Sequence, residues 1–100
     1  MAKRLIWSNK AQINRKEIFE YWNNRNKSKV YSRKLNLIFN KHINLILKYP
    51  YIGISSDIDN VYLKTVRDFQ IIYFVSPDTI VILEIWDSRQ NPDKLKPNVL

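Results

Sequence analysis

The side chains best suited to chemistry fall in the second half of this 100-residue chain: Lys64, Arg67, Gln70, Tyr73, Glu84 and Arg89. Cationic groups gathered on one sheet face would hold a phosphate and stabilise the extra negative charge of a phosphorane-like transition state. Strand alternation places Lys64 and Gln70 on one face, turned away from the helices, with Arg67 and Arg89 reaching toward one rim from strand ends. Arg89 lies in the polar run Asp87-Ser88-Arg89-Gln90-Asn91, directly after an apolar strand, where an arginine serves as a ligand contact or a carboxylate clamp. The same residues also fit a plain solvated sheet face, and on residue types alone both readings stay open.

Other chemistries lack their parts. The single histidine, His42, sits among aliphatic residues in mid-helix and reads as a packing residue. With one histidine and no cysteine, neither a thiolate nor a multi-histidine metal site can be built, and one glycine rules out a glycine-rich phosphate loop. The carboxylates are scattered, with no pair spaced for shared acid–base work. No metal and no cofactor are expected.

These side chains need a scaffold, and one hundred residues supply one domain, 1–100. Leu5-Ile6-Trp7 is a short strand, and Ser8 or Asn9 caps a helix over about 10–24 whose apolar stripe is Ala11, Ile18, Phe19 and Trp22, with the Arg15 stem in it. Ser28 suits the N-cap of a longer helix ending at Pro50. Its main stripe is Tyr31, Leu35, Ile38, His42, Leu45, Ile46 and Tyr49. Leu37, Phe39, Ile43 and Leu47 lie off that stripe, which means cover on two sides or an interface. A short link folds the two helices into an antiparallel hairpin. Pro50-Tyr51-Ile52-Gly53 reads as a turn with glycine at a positive φ, and residues 54–60 as a loop. Val61–Val66, Phe69–Val75 and Ile80–Trp86 form an antiparallel meander joined by Arg67-Asp68 and Ser76-Pro77-Asp78-Thr79. The order is β-α-α-β-β-β, an α+β fold with a helical hairpin on a small antiparallel sheet. The apolar run at residues 5–7 is too short for a secretory leader, and no stretch is long enough to cross a membrane, so a cytoplasmic protein is expected.

Charge is distributed unevenly. Residues 1–49 carry twelve Lys/Arg against Glu17 and Glu20 (+10), whereas residues 50–100 carry five against seven carboxylates (−2). Such a field speeds encounter with polyanions and adds sequence-independent affinity for phosphate backbones; a solvated lysine surface or an acidic protein partner would show the same composition.

The chain resembles the RelE/ParE superfamily of toxins from bacterial type II toxin–antitoxin systems. The resemblance runs through Trp7, Ala11, Ile18, Tyr21-Trp22, Tyr31, Pro50-Tyr51-Ile52-Gly53, Phe69-Gln70-Ile71-Ile72-Tyr73 and Ile82-Leu83-Glu84-Ile85-Trp86-Asp87-Ser88-Arg89. It implies a toxin held inactive by a cognate antitoxin whose segments wrap the helices and sheet. RelE-like members cut mRNA on the ribosome, while ParE-like members inhibit DNA gyrase and are not nucleases. Lys64 matches a strand lysine of the nuclease branch, Arg89 its arginine after the last strand, and Tyr73 a structural tyrosine of both branches. Gln70 stands where the nucleases carry an arginine, and Leu95 where some carry a tyrosine, so the nuclease set is incomplete.

Lys64, Arg67 and Arg89 are thus the candidate catalytic residues of an mRNA endoribonuclease. Arg25, Lys27, Lys29, Arg33 and Lys34, around the helix junction, are the candidate nucleic-acid contacts. Because that basic junction suits ribosomal RNA, RNA cleavage is favoured over gyrase inhibition, with a basic non-toxin adaptor as the third reading.

Overall fold

The computed structural model describes residues 3–88. The elements are β1 (Arg4–Trp7), α1 (Asn9–Asn26), α2 (Val30–Lys48), β2 (Ile54–Ser55), β3 (Val61–Val66), β4 (Phe69–Val75) and β5 (Thr79–Asp87). They form one five-stranded sheet in the order β1-β5-β4-β3-β2 with both helices on one face. The α+β architecture and the meander of β3, β4 and β5 follow the sequence reading. Two features extend it. A two-residue strand, β2, pairs antiparallel with β3 inside the segment read as a loop. β1 lies parallel to β5, which makes the sheet mixed. Tight turns dictate antiparallel neighbours only between consecutive strands; β1 reaches β5 through the helical hairpin, which leaves its direction free.

Ser8 links sequence to architecture at the start of α1. Its hydroxyl accepts the Ala11 N–H at 3.0 Å, as an N-cap should, and donates to the Leu83 carbonyl at 2.8 Å. β1 ends opposite Ile82, and beyond it α1 takes over the exposed edge of β5, with Asn14 Oδ1 accepting the Ile85 N–H at 3.2 Å. The helix ends at Lys27, whose left-handed backbone (φ 54°) sends its N–H back to the Asn23 carbonyl.

The core explains the surplus of apolar residues on α2. Leu35, Phe39, Ile43 and Ile46 are its buried apolar positions, at helical spacing, so the true stripe is rotated from the expected one and takes in Phe39 and Ile43. They pack on Val66, Phe69, Ile71, Tyr73, Ile80 and Ile82 of the sheet, with Phe39 edge-on to Phe69 at 5.3 Å. Tyr31, Ile38 and Leu47 are half-buried against the same core. Of the positions off the expected stripe, Leu37 stays in solvent, 71% exposed. Rotation of the single buried stripe therefore accounts for Phe39 and Ile43, and Leu47 lies half-buried on its flank. On the other sheet face Val61, Ile72 and Trp86 form a second, smaller apolar cluster.

Gly53 is not at a positive φ, contrary to the expected turn. What requires glycine is proximity: a Cβ there would lie 2.7 Å from both the Leu63 carbonyl oxygen and the Tyr73 hydroxyl.

Candidate functional site

Among the described residues, Lys64 and Gln70 do not share the sheet face expected of them. Arg67 and Asp68 form a two-residue hairpin turn, so Lys64 pairs with Ile71 and Thr65 with Gln70. Paired residues share a face, and Ile71 belongs to the helix-side core. Lys64 therefore points toward the helices, while Gln70, opposite Trp86, points away. Their expected shared face is corrected by the register itself, because equal parity across this turn means opposite faces.

Lys64 instead meets α2. It and Lys41 lie close enough to His42 to act on its charge. Burial first, and then these two ammonium groups, hold the His42 imidazole below the ordinary histidine range. His42 Nδ1 is buried without a hydrogen-bond partner, which fits the packing role expected for this residue. Arg67 sits in the hairpin turn itself, exposed, with a left-handed backbone at φ 56°. The turn is held by Ser88, the residue after β5, which donates both its N–H (2.8 Å) and its hydroxyl (2.6 Å) to the Asp68 carbonyl. Three residues of extended strand, a rise of roughly 10 Å, separate Lys64 from Arg67. Arg89 and Leu95 lie outside the described residues. Glu84, buried at the register shift of β5, is paired with Lys10 of α1 at 2.8 Å, which occupies it with a structural ion pair.

Tyr73 is structural in a specific way. Its buried hydroxyl donates to the Pro50 carbonyl at 2.8 Å and accepts the Gly53 N–H at 3.0 Å, and burial pushes the phenol above the ordinary tyrosine range. Both sides of the turn leaving α2 are thereby tied to the middle of the sheet. Tyr62 stacks on the Tyr73 ring at 5.7 Å, and Tyr51 meets Tyr62 edge-on at 5.5 Å. Sequence reading recognised the tyrosine but had no signal for its partners, which are backbone groups some twenty residues away.

The helix junction is firmly built. The Ser32 hydroxyl donates to Asn23 Oδ1 at 2.6 Å, the Ser28 N–H donates to the Asn23 carbonyl, and Ser28 Oγ accepts the Val30 N–H at 3.1 Å. Ser28 thus stands one residue before the N-cap position, Lys29, which makes no side-chain cap bond. Arg25, Lys27, Lys29, Arg33 and Lys34 are all exposed on this corner. Among the described residues the ion pairs are Lys10–Glu84 and Lys16–Glu20, so none of the five has a carboxylate partner. No group of three or more His, Cys, Asp or Glu side chains that could hold a metal ion occurs among the described residues. No helix there is long and apolar enough to cross a membrane.

Comparison with known proteins agrees with this architecture. No curated protein matches the sequence. Among solved structures, the chain resembles one from the chromosomal ParDE TA system of P. aeruginosa. The TM-score is 0.72 with 18% identity, over 86% of this chain and 96% of that one, a likeness of fold. A family model described as the ParE toxin of type II toxin-antitoxin system, parDE, matches residues 5–92. Since that match spans most of the sequence, the chain belongs to the ParE toxin family of type II toxin–antitoxin systems.

Proposed function

We propose that this toxin arrests growth by binding and inhibiting DNA gyrase in the cytoplasm, without cutting RNA, and that a cognate antitoxin neutralises it. The observation that carries the reading is the match to the ParE branch over residues 5–92. The sheet supports it: Lys64 faces α2, Gln70 faces the opposite side, and Arg67 is set apart in a turn. A ribonuclease must neutralise one phosphate, polarise a 2′-hydroxyl and protonate a leaving oxygen within a few ångströms. Among the described residues, one lysine turned toward α2, a neutral glutamine on the opposite face and an arginine in a turn do not make that constellation, whereas inhibition by binding requires only a complementary surface. The preference for RNA cleavage, drawn from the basic junction alone, finds no support in this geometry.

The test pairs two measurements. Purified toxin added to gyrase and relaxed plasmid is expected to block supercoiling or to trap cleaved plasmid, and cells in induced arrest should mount a DNA-damage response with intact transcripts. Unimpaired supercoiling together with new transcript ends during arrest would overturn the proposal. In that case Lys64→Ala and Arg67→Ala, with Arg89→Ala, become the variants that should abolish cleavage.

A further inference from the structure

We infer that the outer side of α2 is a phosphate-binding ridge that holds duplex DNA, the DNA being identified through the gyrase reading above. The ridge is Lys34, Lys41 and Lys48, one lysine every seven residues. Seven residues of α-helix rise about 10.5 Å and drift only about 20° around the axis, so the three ammonium groups stand in one nearly straight row about 21 Å long. All three are exposed, and α2 contains no Asp or Glu from Val30 to Lys48. The two carboxylates of the basic half, Glu17 and Glu20, are both on α1, and Glu20 lies beside Lys16. The row begins at the firmly built junction, where Lys29 and Arg33 add positive charge beside it without belonging to it.

The chemistry favours a phosphate backbone over a carboxylate-bearing protein. Every ridge cation is a lysine, a point charge on a flexible stem, which suits a continuous line of negative charge and needs no register. Geometrically selective carboxylate recognition favours the arginine fork. Duplex DNA presents one charge per about 1.7 Å of axis, so a 21 Å row faces roughly twelve phosphates and can neutralise one with each lysine. Held this way, the toxin would bind gyrase together with the DNA that gyrase carries.

The test is fluorescence anisotropy of the full chain with a labelled 20-base-pair duplex over a salt series. Each phosphate contact adds about 0.9 to the slope of log affinity against log salt, so Lys34→Gln/Lys41→Gln should lower the slope by about 1.8. Arg4→Gln/Lys16→Gln, with the same loss of charge off the ridge, should leave it unchanged; equal losses from both pairs would overturn the ridge. Stronger competition by single-stranded RNA or by polyglutamate than by duplex, at equal charge, would overturn DNA as the ligand. A toxin that inhibits gyrase but does not bind duplex refutes the ridge alone. One that binds duplex through the ridge but leaves gyrase active refutes the gyrase reading and leaves the ridge standing.

Discussion

Replacing Gly53 by alanine, Tyr73 by phenylalanine, and then both together measures how the turn leaving α2 is held to the sheet. Tyr73→Phe deletes a hydroxyl that donates to the Pro50 carbonyl and accepts the Gly53 N–H. At about 1 kcal/mol net for each neutral hydrogen bond, the loss is about 2 kcal/mol. In a domain of this size each kcal/mol shifts the midpoint by roughly 4–8 °C, so melting should fall by about 8–16 °C. Gly53→Ala drives a methyl to 2.7 Å from both the Leu63 carbonyl oxygen and the Tyr73 hydroxyl. Overpacking of this kind costs about 1–3 kcal/mol. One of the two clashing atoms vanishes in the phenylalanine background, while the Leu63 backbone remains. The double variant should therefore be less destabilised than the sum of the singles, by about 1 kcal/mol. Urea denaturation followed by tryptophan fluorescence reads all four corners of the cycle. Additivity within about 0.3 kcal/mol would refute the shared contact, and a phenylalanine variant as stable as the parent would refute the clamp itself.

Three further expectations follow from the described geometry. The folded state resists protonation of His42 because of burial, Lys64 and Lys41, while the unfolded chain takes up that proton near 6.5. Stability is thus lost as pH falls through 6.5 toward the lower folded value, and His42→Gln should flatten this limb of a pH–stability curve. Arg67→Gly removes a left-handed strain of about 1–2 kcal/mol and adds about 0.4–1 kcal/mol of unfolded-chain entropy, so denaturation should show a net gain of about 0.5 kcal/mol; a clear loss would contradict the turn geometry. Lys10→Met strands the buried Glu84 carboxylate, and the half-exposed lysine makes the cost about 1–2 kcal/mol rather than the roughly 3–5 of a fully buried pair. Adding Glu84→Gln should recover most of it, as judged by thermal melting.

Local signals carried much of the fold. Ser8 announced the first helix, Pro50 closed the second, and the two-residue turn at Arg67-Asp68 set the pairing of β3 with β4. The placement of Lys64 was legible too: a two-residue turn pairs even positions with odd ones, so Lys64 and Gln70 had to part. What stayed illegible depended on groups distant in sequence. The α2 stripe was misjudged because Phe39 is claimed by Phe69, a sheet residue whose position no helical periodicity reveals. Gly53 looked like a backbone-dihedral glycine, since nothing local shows the Leu63 carbonyl and the Tyr73 hydroxyl arriving beside it. The parallel seating of β1 likewise depends on a helical crossing rather than on the residues of either strand. The lysine row at 34, 41 and 48 is plain in the sequence, but only the exposed side of a formed helix turns it into a surface.

The pairing of β1 with β5 also sets an order of events during synthesis. Ser8 is bonded to Leu83, 75 residues further along, and the Lys3 ammonium to the Ser76 carbonyl, 73 residues along. At roughly 5–20 residues per second the ribosome takes about 4–15 s to travel that distance. Meanwhile α1 and α2 emerge with their apolar faces uncovered, and the first strand waits for a neighbour. Contacts this far apart also have the highest closure entropy, so the seam forms late even in a released chain. A polypeptide interrupted before Thr79 has no β5 to receive β1 or the start of α1. The β2–β3–β4 pairings can form before that point, but the seating of the first strand and of the start of α1 exists only once β5 has been translated.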